Sequence, residues 1–223
     1  GGAAAVVDAL LASVGPSGTV TMPAHSGDWS DPSHWGNPPV PSDWWDPIRN
    51  GRPAFDPYAT PLRQMGAVAE NLLMRRATLR SAHPLHSHMA HGPHAAAIVA
   101  DHPLEDSFGD RSPMGRLHDL DATVLLIGVG HANNTSLHLA ESRAAIPGRT
   151  RIEQRSTILV DGEPRVVSWQ APEPDADDFD DVGAVLDASG AVRIGPVGRA
   201  TARVTRQRDL VERAVGWFEQ HRR

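Results

Sequence analysis

Residues Thr123 to Glu141 read TVLLIGVGHANNTSLHLAE, and the reading of the whole chain starts from this stretch. The apolar run Val124–Ile127 predicts a buried strand that passes through Gly128 and Gly130 into polar Asn133, Asn134 and Thr135. A helix is expected to start there, with Asn134 or Thr135 as its cap, leaving amides and a hydroxyl for a developing oxyanion. His138 and Glu141 follow at i, i+3 spacing, which puts both on one helical face. Helices that begin beyond a strand's end line the ligand crevices of α/β proteins. A carboxylate beside an imidazole fixes its tautomer and raises its basicity, as a general base needs. The bland alternative is an incidental ion pair on a surface helix. The chain has no Cys and no Gly-x-Ser-x-Gly elbow. A base without an enzyme nucleophile implies that the substrate itself is the nucleophile.

The surrounding composition narrows the class. At 223 residues and 40 % apolar, the chain can bury a substantial core, and it reads as a single domain over 1–223. It has no apolar run long enough to span a bilayer and no basic-then-apolar leader, so no membrane association and a cytoplasmic location are expected. A net charge of −6 argues against nucleic acid as a partner. Every basic residue is Arg, and arginines 199, 203, 206, 208 and 213 cluster near the end, suited either to phosphates or to a solvated helix face.

Helical spacing covers residues 3–14, 63–73, 95–100, 113–120, 182–188 and about 205–221. Strands are expected at 19–22, 124–127, 157–160, 166–169 and 192–194, and a loop-rich segment with four tryptophans runs from Pro23 to Pro61. Alternating strands and helices predict an α/β fold with a mixed central sheet flanked by helices.

Three further clusters compete for function. His86-x-His88 with His91 nearly spells a hydrolase zinc motif, but Ala90 stands where an aspartate is needed, so the expectation is no metal. Six carboxylates between Glu173 and Asp181 suit either a solvated loop or a trap for a polycation, and Phe179 and Val182 among them suggest anchorage. The aromatic loop, with His25, Asp28, Asp31 and Asp56, either walls a sugar-sized cleft or packs on the core.

Taken together, the ordered blocks resemble the aminoglycoside 3-N-acetyltransferase (antibiotic acetyltransferase) family. They are Gly15–Val20, Gly36–Pro41, Pro53–Pro57, Met65–Glu70, Arg80–Pro84, Ser112-Pro113, Leu125–Glu141 and Arg206–Leu210. The resemblance implies the antibiotic acetyltransferase fold without its usual first strand. It also implies direct transfer of an acetyl group from acetyl-coenzyme A to an aminoglycoside amine, conferring resistance. Carried over by motif, His138 accepts the amine proton, Glu141 orients it and Thr135 stabilises the oxyanion. Arg80, Ser81, His83 and Ser112 match the coenzyme side. Asp56, Glu70, Asp178, Asp180 and Asp181 are candidates for gripping the cationic antibiotic, in a monomer or homodimer. A binding-only homologue that sequesters the antibiotic, or an acyltransferase of another amine, would share these residues.

Overall fold

The computed structural model describes residues 1–36 and 38–222; Asn37, in the Gly36–Pro41 block, and Arg223 lie outside the described residues. The chain divides into two compact units, one of residues 1–107 with 152–171, the other of residues 108–151 with 172 onward.

In the first unit, helix α1 (Ala3–Val14) ends where Gly15 takes a positive φ of 67° ahead of Pro16. Strand β1 (Val20–Pro23) follows. The tryptophan-rich segment, expected to be loop, carries short 3₁₀ turns and helix α2 (Trp45–Gly51). Helix α3 (Gly66–Leu73) is shorter than its spacing predicts, because Gln64 (φ 56°) and Gly66 (φ 80°) hold the chain out of helix until residue 66. Strand β2 (Leu79–Arg80) and strand β3 (His88–His91) were not anticipated, and the histidine-rich stretch is the central strand of a three-stranded antiparallel sheet in the order β1-β3-β2. Val7, Ala69 and Leu72 pack with Val20, Ala24 and Met89 into the core beside this sheet. Helix α4 (Ala95–Val99) follows directly. Strands β5 (Arg151–Val160) and β6 (Glu163–Pro172) pair as a long ribbon. Asp161 and Gly162 both have positive φ, 53° and 81°, the conformation a two-residue turn between twisted strands requires.

The second unit runs through α5 (Pro113–Asp119), β4 (Thr123–Ile127), α6 (Ser136–Arg143), α7 (Phe179–Ala188), β7 (Arg193–Val197), β8 (Ala200–Arg206) and α8 (Gln207–His221). Its sheet has the order β4-β8-β7, every pair antiparallel. The segment expected to begin the last helix at Thr205 is still strand, and α8 starts two residues later.

The α/β class holds, but the described strands form these small antiparallel sheets where one mixed sheet was expected. The reason is connectivity: two-residue turns join β5 to β6 and β7 to β8, and such turns can only link antiparallel neighbours. A single bridge, Phe55 to Ile158, is parallel. The run Val124–Ile127 is an edge strand and not fully buried, with Leu126 7 % and Leu125 39 % exposed. Among the described residues no helix is long and apolar enough to cross a membrane.

Leu72 is fully buried in the first unit's core. Truncation to alanine is expected to cost about 2–5 kcal/mol. Urea unfolding of Leu72→Ala checks this, and a midpoint equal to that of the parent would place the residue outside a packed core.

Candidate active site

Helix α6 brings His138 and Glu141 together as their spacing predicts. The imidazole Nδ1 lies 2.9 Å from Glu141 Oε2. Glu141 is 1 % exposed, and its other oxygen accepts from Arg222 (3.0 Å) and from the Asp175 amide (3.1 Å), with the Arg149 guanidinium 3.4 Å away. A carboxylate so placed is an acceptor only, so Nδ1 carries the hydrogen and donates it. Nε2 is left with its lone pair, the arrangement a proton acceptor needs.

The ring is held in plane by aromatic neighbours. Phe108 stacks on His138 at 4.5 Å and 21°, and Phe179, the first residue of α7, lies 4.7 Å away at 56°. Phe179 therefore anchors the acidic run, as its place among the carboxylates suggests. That run is not all loop: α7 begins at Phe179, which makes Asp178 its N-terminal neighbour and puts Asp180 and Asp181 in its first turn.

Arg222 is the residue sequence reasoning missed most completely. It bonds both carboxylate oxygens of Asp178, the Asp175 carbonyl and Glu141, and it lies 4.3 Å over the Phe218 ring. Burial works to lower its pKa, but the Asp178 and Glu141 charges outweigh it and raise the value. Nothing in a terminal Arg-Arg pair announces this role. A cavity of about 560 Å³ is lined by Glu141 together with Arg149, Arg222, Glu173, Asp175 and Asp177 among others. His138 is not among its lining residues.

Thr135 is half-buried, and its hydroxyl caps nothing. Asn134 serves the first turn, its Oδ1 accepting from the Ser136 amide at 3.2 Å. The two candidates for the cap thus separate: Asn134 takes the structural duty and leaves the Thr135 hydroxyl without it.

The remaining predicted residues have local duties. Ser112 is fully buried and caps α5, accepting from the Met114 amide at 3.1 Å. Asp180 and Asp181 are both exposed, and Asp180 accepts from the Ala132 amide at 3.0 Å. In the first unit, Asp56 closes a turn by accepting from the Tyr58 and Ala59 amides, and Glu70 is exposed on α3. Arg80 is buried with its guanidinium on the Thr60 and Ala24 carbonyls and Ser87 Oγ (2.6, 2.7 and 2.9 Å). Burial pushes its pKa down to about 10. Asp31, in the aromatic loop, is gripped by both arms of Arg49; burial acts to raise its carboxyl, but these bonds and Ser33 hold it at about 2. Of the loop's tryptophans, Trp29 packs on the Leu85–Trp169 cluster, while Trp44 is 59 % exposed. In the arginine cluster, residues 203, 206 and 213 pair with Asp187, Asp121 and Asp209.

The histidine-rich stretch builds a hydrogen-bonded chain. His83 Nδ1 accepts from the Leu85 and His86 amides (3.1 and 3.0 Å), so Nε2 carries the hydrogen and donates to Ser107 Oγ at 3.0 Å. His102 Nε2 donates to the Ser107 carbonyl at 2.7 Å, so its Nδ1 accepts from Ser81 Oγ at 2.9 Å. Ser81 accepts in turn from the His88 amide. Among the described residues no three His, Cys, Asp or Glu side chains gather as a metal site.

Residues 1–219 match the model of the family described as aminoglycoside 3-N-acetyltransferase. The chain belongs to that family. It is 38 % identical over 219 residues to the SPbeta prophage-derived aminoglycoside N(3′)-acetyltransferase-like protein YokD of Bacillus subtilis (strain 168), covering 98 % of this chain and 80 % of that protein. The crystal structure of YokD matches with a TM-score of 0.94 at 37 % identity, over 98 % of this chain and 81 % of that one. A room-temperature neutron/X-ray structure of AAC-VIa bound to sisomicin gives 0.87 at 30 % identity, over 100 % and 86 %. AAC-IIIb in binary complex with CoASH also gives 0.87, at 28 % identity over 98 % and 84 %. The family is one of acyltransferases.

His83 and His88 are wholly buried, and burial lowers both pKa values well below the usual 6.5. The unfolded chain therefore binds more protons once pH falls below about 6.5, and stability present above that value drains away at about 1.4 kcal/mol per pH unit for each ring. Carboxylates such as Asp31 act at much lower pH, so the windows separate. Urea midpoints followed from about pH 7.5 to about pH 5 should fall, with a shallower fall in His83→Gln. Midpoints independent of pH over that range would contradict the neutral, buried state of these rings.

Proposed function

We propose that this family member transfers an acetyl group from acetyl-coenzyme A to the 3-amine of an aminoglycoside, with His138 as general base. The observation that carries the reading is the 2.9 Å contact of His138 Nδ1 with Glu141, which leaves Nε2 as the acceptor. The acceptor amine attacks the thioester carbonyl carbon and gives its proton to His138 Nε2. The Thr135 hydroxyl donates to the developing oxyanion. Collapse breaks the carbon–sulfur bond, and the proton held by His138 passes to the departing sulfur. No acyl-enzyme forms, in keeping with a chain that has no Cys. Support for the two substrates comes from relatives: one was solved with CoASH and another with sisomicin.

The residue assignments are refined by their surroundings. Arg80, Ser81 and His83 in the first unit and Ser112 in the second have their side chains engaged in internal bonds, so we assign each a framework role within its own unit and not direct contact with coenzyme. Asp178 and Asp180 are likewise tied to Arg222 and to the Ala132 amide. Glu173, Asp175 and Asp177, which border the cavity beside Glu141, then fit a cationic acceptor better, with Asp181 exposed nearby in sequence. Asp56 and Glu70, in the first unit, stay as candidates. The family match runs unbroken over residues 1–219, through both units, which supports reading the chain as one acetyltransferase domain.

A thiol-release assay over an aminoglycoside panel tests the reaction, and calorimetry with each substrate separately tests the binding. His138→Ala should lower kcat by about 10² to 10⁴, the share of a positioned general base. Unchanged turnover in that variant removes the assignment, and antibiotic binding without coenzyme binding points to a sequestering protein instead. For the acceptor site, Glu173→Gln combined with Asp177→Asn should raise KM by about tenfold while kcat changes less. An unaltered KM would return these carboxylates to solvated surface.

A further inference from the structure

Seven residues before His138 stands another imidazole, His131, buried to 3 % exposure, whose bonds the reaction above does not use. Its Nε2 lies 3.1 Å from Asp187 Oδ1, and Asp187 Oδ2 accepts from Arg203 Nε at 2.8 Å. Its Nδ1 lies 3.3 Å from the side-chain nitrogen of Asn134. The hydrogens follow from the partners. The Asp187 carboxylate accepts and the Asn134 amide nitrogen donates, so Nε2 carries the hydrogen and Nδ1 receives one. Asn134 has one workable orientation: reversed, its NH₂ would oppose the Ser136 N–H and its carbonyl oxygen would oppose the lone pair of His131 Nδ1. One path of hydrogen bonds thus runs from Arg203 on β8, through Asp187 on α7 and His131, to the amide that opens α6.

Helix α7 grips the same turn at three points of one face. Asp180 accepts from the Ala132 amide, Asp187 holds His131, and Gly183 between them lies against the His131 ring. A β-carbon on residue 183 would overlap that ring, so the closeness depends on glycine. Thr135 sits between Asn134 and Ser136, both held, and makes no capping bond of its own.

We propose that Arg203, Asp187, His131 and Asn134 are positioning residues that set the turn carrying Thr135 into α6, and through it the spacing between the Thr135 hydroxyl and the His138 ring. The inference rests on the roles given above to those two residues. None of the four positioning residues is required to touch substrate.

Two measurements test it. In His131→Phe the ring is kept and both bonds are lost. Amide exchange at Ser136 should then quicken by about tenfold or more, while amides of α8 and β8 keep their protection. In the transfer assay kcat should fall by about 10- to 100-fold with KM within about threefold, as a displaced catalytic group predicts. Because the loss acts through Thr135, the same substitution in a Thr135→Ala background should cost far less than in the parent. If His131→Phe does not fold, Asp187→Ala removes the acceptor at the half-buried end of the path and is read in the same way. Unchanged Ser136 exchange overturns the proposal, as do kinetic losses that simply add to those of Thr135→Ala. If the parent protein transfers no acetyl group, the reaction assigned above falls, and the exchange measurement alone decides whether His131 holds the turn.

Discussion

A carboxylate buried to 1 % exposure, Glu141, organises the polar groups packed around it in the second unit. Taking a carboxylate out of water costs several kcal/mol even after relaxation, and only good geometry with full hydrogen bonding offsets that. Glu141 has both. One oxygen faces His138, and the other receives Arg222 and the Asp175 amide, with Arg149 close by. Because the donors on Oε1 come from three chain segments, the carboxylate cannot swing without leaving several groups unpaired. The orientation of His138 is therefore inherited from residues far away in sequence, the last of them one position from the end of the chain.

The same constraint explains the acidic run. Six carboxylates in nine residues repel one another, and a free loop would relieve that by spreading into solvent. Here the run is divided by use. Asp178 meets Arg222, and Asp180 takes a backbone amide, while Phe179 is driven under the His138 ring. The carboxylates left to the cavity are those ahead of the helix, Glu173, Asp175 and Asp177. Charge that looked like a single feature in sequence serves two purposes: α7 is docked by part of it, and the cavity is made acidic by the rest.

How much was legible follows from the range of each interaction. The His138/Glu141 pair is local, one turn of one helix, and periodicity alone brings it together. Helices α1, α5 and α8 were readable for the same reason. Strands β2, β3 and β8 were not, because their pairing partners lie elsewhere in the chain and their residues lack clear alternation. Arg222, Arg149 and the His131–Asp187 contact, 56 residues apart, join positions that no local pattern links. Arg80, Ser81, His83 and Ser112, singled out by family resemblance, are buried and internally bonded, a distinction that motif matching does not make.

The proposed proton transfer requires that His138 carry its hydrogen on Nδ1. Long-range proton–nitrogen NMR of the histidine side chains, recorded at neutral pH, reports this directly. The structure predicts the Nδ1–H form for His138, with Nε2 bare and the signal altered in Glu141→Gln. An Nε2–H form in the parent protein, indifferent to residue 141, would leave no lone pair for the attacking amine and would contradict the mechanism.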